Sequence, residues 1–165
     1  ITFFKKMKDV VLFAFSTSSS AATIPVTLKT ANQDLGVNQN VASFVVPVGA
    51  TINMDGTAIM QGLATVFIAQ RSGIDLTLFQ YIQVVLLAVA TSIGTAAVPS
   101  AGTITLIIIL QQFNLPLEAI GIILAVDRVL DMIRTSVNVT GDAAIACIVA
   151  KTENQLDENI FNSKA

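Results

Sequence analysis

Residues 125–150 read AVDRVLDMIRTSVNVTGDAAIACIVA, an apolar stretch of membrane-crossing length that nevertheless carries Asp127, Asp131, Arg134, Asn138 and Asp142. A helix advances about 100° per residue, so these five positions fall on one narrow face while the remaining surface stays apolar. Ionisable groups in such a segment are costly to place against hydrocarbon. Three carboxylates and one guanidinium on a single face therefore predict a buried site for ions or a charged solute.

Composition agrees with a membrane setting. The 165-residue chain is 53% hydrophobic and 12% charged, with a mean hydropathy of +0.74. That charged share is about half of what soluble domains carry, roughly 25%. A net charge of -2 and the lack of any basic stripe argue against a nucleic-acid partner. The start, ITFFKKMKDV, lacks an initiator Met and the pattern of a signal peptide, so Ile1 reads as an internal position of a longer protein. The single Cys147 excludes an internal disulfide and reads as an inert buried thiol.

Working outward, the apolar blocks predict an all-α membrane protein. Residues 76–117 contain no charged side chain, and as one helix they would run about 60 Å, twice the hydrocarbon thickness of about 30 Å. Gly94, Pro99 and Gly102 break the block, with a helix resuming near Thr103, which predicts a re-entrant hairpin over about 76–115. The first block has a similar plan: an apolar run over Val10–Phe15, a polar break at Ser16–Ser20, and a helix from Thr23 to Leu35 with Pro25 in its first turn, a hairpin over about 5–36. Between the hairpins lies a membrane helix over about 40–71, interrupted at Asn53-Met54-Asp55-Gly56-Thr57. Carbonyls released there, together with the Asp55 carboxylate, are the hard oxygen donors a small cation needs. A final membrane helix runs over about 117–150, and 151–165 is a tail.

Hairpin, interrupted helix, hairpin, helix is a weak internal repeat whose halves enter from opposite sides, the plan of secondary transporters. Lys5, Lys6, Lys8, Lys29, Lys151 and Lys164 gather toward one side, which places both ends of this segment in the cytoplasm of a cell (plasma or inner) membrane protein. The serine-rich tip offers hydroxyls and helix N-terminal amides to an anion, and the glycines of the second tip suit a gate.

Four motifs then carry a resemblance: SSSAAT at Ser18–Thr23, GATINMDGTA at Gly49–Ala58, SIGTAAVPSAG at Ser92–Gly102 and DMIRTSVNVTGD at Asp131–Asp142. In this order they resemble the C-terminal, substrate-binding part of the dicarboxylate/amino acid:cation symporter family, which includes glutamate and aspartate transporters. The resemblance implies that Arg134 pairs with a substrate side-chain carboxylate and Asp131 takes its amino group. It implies further that Thr135 and Asn138 contact the amino group and main-chain carboxylate, that Thr57 contacts the side-chain carboxylate, and that the Ser19, Ser20 and Val98 to Gly102 backbones close over the solute. For sodium it implies one site from the Gly49, Asn53 and Asn138 carbonyls with Asp142, a second from Thr51, Ser92, Ile93 and Thr95, and part of a third from Asn53 with Asp55. Asp127 resembles a group that orients these sites. A homotrimer, held by a scaffold lying outside this chain, and contact with membrane lipid are implied as well. Extra arginines that some relatives carry in the first tip or after the first aspartate of the last motif are here Ser18 and Met132.

The expected function is sodium-coupled symport of aspartate or glutamate by alternating access. Alternatives are a proton-coupled glutamate or C4-dicarboxylate carrier, a passive cation channel, and a hydrolase with Ser19 or Ser20 as nucleophile and Lys29 as base. A cation channel has no use for Arg134, and no His is present to assist a serine. Three plainer readings stand beside the functional ones. The serines serve as a helix-capping turn, Asp55-Gly56 as a surface turn, and Asp131 and Arg134 pair only with each other. Arg128, at the edge of the polar face, reads as a headgroup or intersubunit contact.

Overall fold

A computed structural model describes residues 2–163, and within them all regular structure is helical. The chain order is α1 (Thr2–Lys6), α2 (Lys8–Thr17), α3 (Ser20–Gln33), α4 (Gln39–Ile52), α5 (Asp55–Arg71), α6 (Leu78–Ile93), α7 (Ala101–Gln112), a 3-10 turn (Leu117–Ala119), α8 (Ile120–Thr152) and α9 (Glu158–Asn162). Helices α2 and α3 form one helical hairpin and α6 and α7 a second, while α4 and α5 form one path broken at Asn53-Met54. Among the described residues no helix is long and apolar enough to cross a membrane. The physical reason is local. At 33 residues α8 has the length, but it carries the charged stripe, and the break shortens α4 and α5 to 14 and 17 residues.

The boundaries correct the sequence reading at both tips. The helix expected from Thr23 begins at Ser20, so Pro25 lies inside α3 rather than in its first turn. The helix expected near Thr103 begins at Ala101. In each tip a serine adopts the left-handed region: Ser18 at φ 51°, which turns the first tip within two residues, and Ser100 at φ 61°, which closes the longer break over residues 94–100 and leads into α7. Ser18 N–H closes α2 on the Ala14 carbonyl at 2.8 Å, and Ser19 caps α3 by accepting from Ala22 N–H at 3.2 Å. Thr77 and Gln80 form a reciprocal cap at the start of α6.

Helix α8 is the axis, packed by α2, α3, α4, α5 and α7. One apolar cluster gathers Met7, Val10, Ala14, Ala31, Leu35, Ala42 and Val46 around Val139, Ala143, Ala146 and Ala150. A second gathers Met60, Ala64, Ile68, Ala88, Leu106, Ile109 and Leu110 beside Ile123. Small residues in the first cluster let helix backbones approach closely, as in membrane bundles. Between the clusters lies a polar layer in which Asp127, Asp131, Arg134, Asn138 and Asp142 are all buried. The exterior is the reverse: Phe44 is 70% exposed, Leu63 67% and Ile104 67%. Polar inside and apolar outside is the arrangement a hydrocarbon solvent favours. Cys147 is buried, and Arg128 sits on the exposed side of α8.

The tail does not run free. Residues 155–162 fold back on the open end of the first hairpin, where Asp157 N–H donates to the Gly36 carbonyl at 2.8 Å and Asn38 N–H to the Gln155 carbonyl at 3.0 Å. Gly36, at φ 72°, leaves no room for a Cβ against the Asp157 carbonyl. Lys6 Nζ donates to the carbonyls of Asp34 at 2.9 Å, Ile160 at 2.6 Å and Phe161 at 3.0 Å, tying both ends of the described chain together. Lys164 lies outside the described residues, as does Ile1. Replacing Lys6 by Met is expected to lower stability by about 2 kcal/mol, since hydrogen bonds from a charged donor each contribute ~1.5–3 kcal/mol and this one is part-buried. Thermal unfolding of the purified protein reads this as a lower Tm, and an unchanged Tm would show the tether to be idle.

Candidate solute and ion site

The two hairpin tips meet over α8. Ala21 N–H donates to the Ala97 carbonyl at 3.2 Å and Ser19 Oγ to the same carbonyl at 2.9 Å. Beneath this junction lies a cavity lined by Ser18, Ser20, Met54, Thr57, Thr95, Ala96, Ala97, Val98, Gly102, Asp131, Arg134, Thr135 and Asn138. Arg134, Asp131, Thr135, Asn138, Thr57, Ser20, Val98 and Gly102, all expected to contact a solute, line it, whereas Pro99, Ser100 and Ala101 do not and Ser19 joins the tips that roof it. The cavity is closed to about 10 Å³, the space of one water and far less than an amino acid fills. A solute of that size therefore requires the lining to move apart.

The electrostatics suit a carboxylate. The first turns of α3, α5 and α7 all reach the cavity, through Ser20, Thr57 and Gly102, so three helix N-termini converge there. Arg134, 5% exposed, gives Nε to Asp131 Oδ1 at 3.1 Å and Nη2 to the same oxygen. Asp131 and Arg134 do pair, as the plainer reading held. Yet Arg134 Nη1 is buried with no hydrogen-bond partner among the described residues, as is Ser18 Oγ. A buried guanidinium N–H without an acceptor is costly, and a carboxylate would relieve it. Gly102 makes the approach possible, because a Cβ there would fall on Arg134 Nη1 and within 3.0 Å of the Thr57 methyl.

Asn138 joins α5 to α8, accepting from Gly56 N–H at 2.8 Å through Oδ1 and donating from Nδ2 to Thr57 Oγ1 at 3.3 Å. Next along α8, Asp142 Oδ1 accepts from Asn53 Nδ2 at 3.0 Å, and a Cβ on Gly49 would come within 2.5 Å of that oxygen. On the other side of Asn53, a Cβ on Gly141 would meet Asn53 Nδ2 at 2.9 Å and Asp55 Oδ2 at 3.2 Å. Gly49, Asn53, Asp55, Asn138 and Asp142 are thus one neighbourhood, with Asp55 on its exposed edge. Among the described residues no three of His, Cys, Asp and Glu gather. The donors here are amides, carbonyls and scattered carboxylates, oxygen ligands that suit a hard cation. The second expected set is less compact. Ser92 and Thr95 are buried and joined by Thr95 N–H to the Ser92 carbonyl at 3.1 Å, whereas the side chains of Thr51 and Ile93 are exposed at the ends of α4 and α6, which touch.

Two features escaped the sequence reading. Gln61, fully buried on α5, donates to the Gly102 carbonyl at 3.1 Å and Thr105 Oγ1 at 2.7 Å, and accepts from Thr91 at 2.9 Å, clasping the second hairpin. The spacing Thr57, Gln61, Thr65 in an otherwise apolar block was the available signal. Ser100 and Thr103 both bind Asp127, a link between distant segments that no spacing predicts. Lys29 is exposed and nine residues beyond Ser20 on one helix, about 13 Å away, so the nucleophile–base pair of a hydrolase does not form.

A roofed cavity holding a buried arginine thus lies where two helical hairpins and a broken helix meet. Residues 1–152 match the sodium:dicarboxylate symporter family, and the chain belongs to it. It is 48% identical to mouse excitatory amino acid transporter 3 over 159 residues, covering 96% of this chain and 30% of that protein. It is 47% identical to human excitatory amino acid transporter 2 over 148 residues, covering 90% and 26%, and 47% identical to an excitatory amino acid transporter of Caenorhabditis elegans over 147 residues, covering 89% and 29%. The chain therefore spans less than a third of the length of these relatives.

Proposed function

We propose that this chain forms the solute- and cation-binding part of a sodium-coupled symporter for acidic amino acids, aspartate or glutamate, working by alternating access in a cell membrane. The observation that carries the reading is Arg134: nine-tenths buried, anchored on one side by Asp131, with Nη1 unpartnered beside the cavity. An acidic amino acid supplies the acceptor that Arg134 Nη1 lacks and a cation for Asp131. Its side-chain carboxylate takes the Arg134 fork and Thr57, its ammonium takes Asp131 and Thr135, and its main-chain carboxylate takes Asn138 and the N-terminal amides of the tips. A dicarboxylate without an ammonium brings a second negative charge beside Asp131 with only Arg134 to balance both, which favours the amino acid over the C4-dicarboxylate alternative.

Sodium at Gly49, Asn53, Asn138 and Asp142 would order the break before α5, whose first turn carries Thr57, so cation and solute affinities rise together by linkage. Thr51, Ser92, Ile93 and Thr95 are proposed for a second ion, and Asn53 with Asp55 for part of a third. The hairpins are re-entrant in this reading, α4–α5 and α8 cross the membrane within the larger bundle, and the clustered lysines keep both ends in the cytoplasm. Lipid meets the apolar exterior, and a scaffold outside this chain supplies the trimer contacts.

Uptake of labelled aspartate by proteoliposomes of the full-length protein, with sodium, proton and potassium gradients imposed one at a time, tests the reading. Accumulation driven by the inward sodium gradient is expected. Accumulation driven only by protons, or equal uptake of succinate, would overturn it in favour of the proton-coupled or dicarboxylate carrier.

A further inference from the structure

Asp127 is a buried carboxylate that the solute and cation assignments leave without a task. It is 5% exposed, and both of its oxygens are occupied by the second tip: Ser100 Oγ donates to Oδ2 at 2.7 Å and Thr103 Oγ1 donates to Oδ1. Ser100 also sends its backbone N–H to Asp131 Oδ2 at 2.7 Å. Ser100, which thus ties the second tip to α8 twice, is itself in the left-handed region, a costly conformation for a serine that its surroundings must hold.

We propose that Asp127 is a positioning residue, a latch that holds the second tip closed independently of Asp131. Asp131 has two claims on it, from the tip through Ser100 N–H and, in the solute site proposed above, from an ammonium. If Asp131 alone held the tip, binding of the ammonium would compete with closure, and the solute would loosen its own roof. Two hydroxyl donors on Asp127, one turn earlier on the same face of α8, remove that conflict. The tip stays seated while Asp131 exchanges partners. The latch is specific to the second hairpin, since the left-handed serine of the first tip, Ser18, has its hydroxyl unpartnered among the described residues.

Hydrogen–deuterium exchange of the full-length protein, without solute and then with aspartate and sodium, reads the latch directly. In Asp127→Asn, and in the milder Ser100→Ala and Thr103→Val, exchange over residues 95–105 is expected to quicken about tenfold, with Ala21 following because its N–H rests on the Ala97 carbonyl, while Ser18 and Thr23, whose N–H groups bond within the first hairpin, keep wild-type protection, because a hydrogen bond to a buried charge contributes at least one order of magnitude. Aspartate is expected to dissociate about tenfold faster, with Tm little changed in the two milder variants. Unchanged protection of the second tip, equal loosening of both tips, or unaltered dissociation beside a loosened tip would each overturn the latch. The exchange without solute stands apart from what the cavity binds, so failed aspartate uptake by the wild type would remove the solute reading and leave that result in place.

Discussion

Arg134→Cys is expected to weaken aspartate binding by about two orders of magnitude, because removing one member of a buried charged pair costs ~2–5 kcal/mol. Two losses combine. The solute's distal carboxylate loses its only fixed cation, and Asp131 loses the partner that holds Oδ1, keeping Ser100 N–H on Oδ2. A neutral amino acid of similar size has no carboxylate to strand, so its affinity is expected to hold or rise, and the preference shifts toward it. Calorimetric titration of the purified full-length protein in saturating sodium checks both statements. Equal aspartate affinity in wild type and variant would take Arg134 out of the solute site.

Asp142→Asn is expected to act on the cation instead. The carboxylate is 1% exposed, faces Asn53 Nδ2 at 3.0 Å and presses against Gly49, so it supplies the one full negative charge in the proposed first ion site. An amide there keeps the shape and loses the charge. Sodium half-saturation is expected to rise by about one to two orders of magnitude, since charge-assisted contacts are the strong ones in a low-dielectric site. Aspartate affinity extrapolated to saturating sodium should then lie near the wild-type value, because the solute's own contacts are intact and only the linkage has moved. Sodium titrations of aspartate binding at several cation concentrations separate the two quantities. An unshifted sodium dependence would exclude Asp142 as a ligand.

Much of this architecture was legible because the strongest signals are periodic. The polar positions of α8 recur at helical spacing, and the structure buries every one of them on one face. The breaks at Gly94 to Ser100 and at Asn53-Met54 were visible as polar or glycine-containing interruptions of apolar runs. The width of the first tip was not, because left-handed Ser18 lets α2 end at Thr17 and α3 begin at Ser20, and nothing in the composition marks Ser18 or Ser100 as the residue that turns. The packed tail was missed for a different reason. Asp157 as the cap of α9 is a local signal, accepting from Asn159 and Ile160, but its docking depends on Lys6, 154 positions from Ile160. The Asp131–Arg134 pair could be placed from spacing alone, whereas the orphaned Nη1 required the surrounding helices.

Side-chain chemistry at the cavity was more legible than the contacts between tips. Residue types announce what Arg134, Asp131 and Asn138 can bind, while the bridges from Ser19 to Ala97 and from Ser100 to Asp127 join segments 78 and 27 residues apart. Such pairs come from the fold, and only the fold reveals that the roof is hydrogen-bonded shut.

The central claim is that the unpartnered face of Arg134 is where an acidic amino acid docks beneath two hairpin tips. A density map of the full-length protein with aspartate at saturating sodium tests it most directly. Aspartate density is expected in the cavity between Ser20, Thr57 and Gly102, its side-chain carboxylate on Arg134 and its ammonium on Asp131. Bound aspartate found elsewhere, with the cavity still closed over an undisturbed Asp131–Arg134 pair, would contradict it.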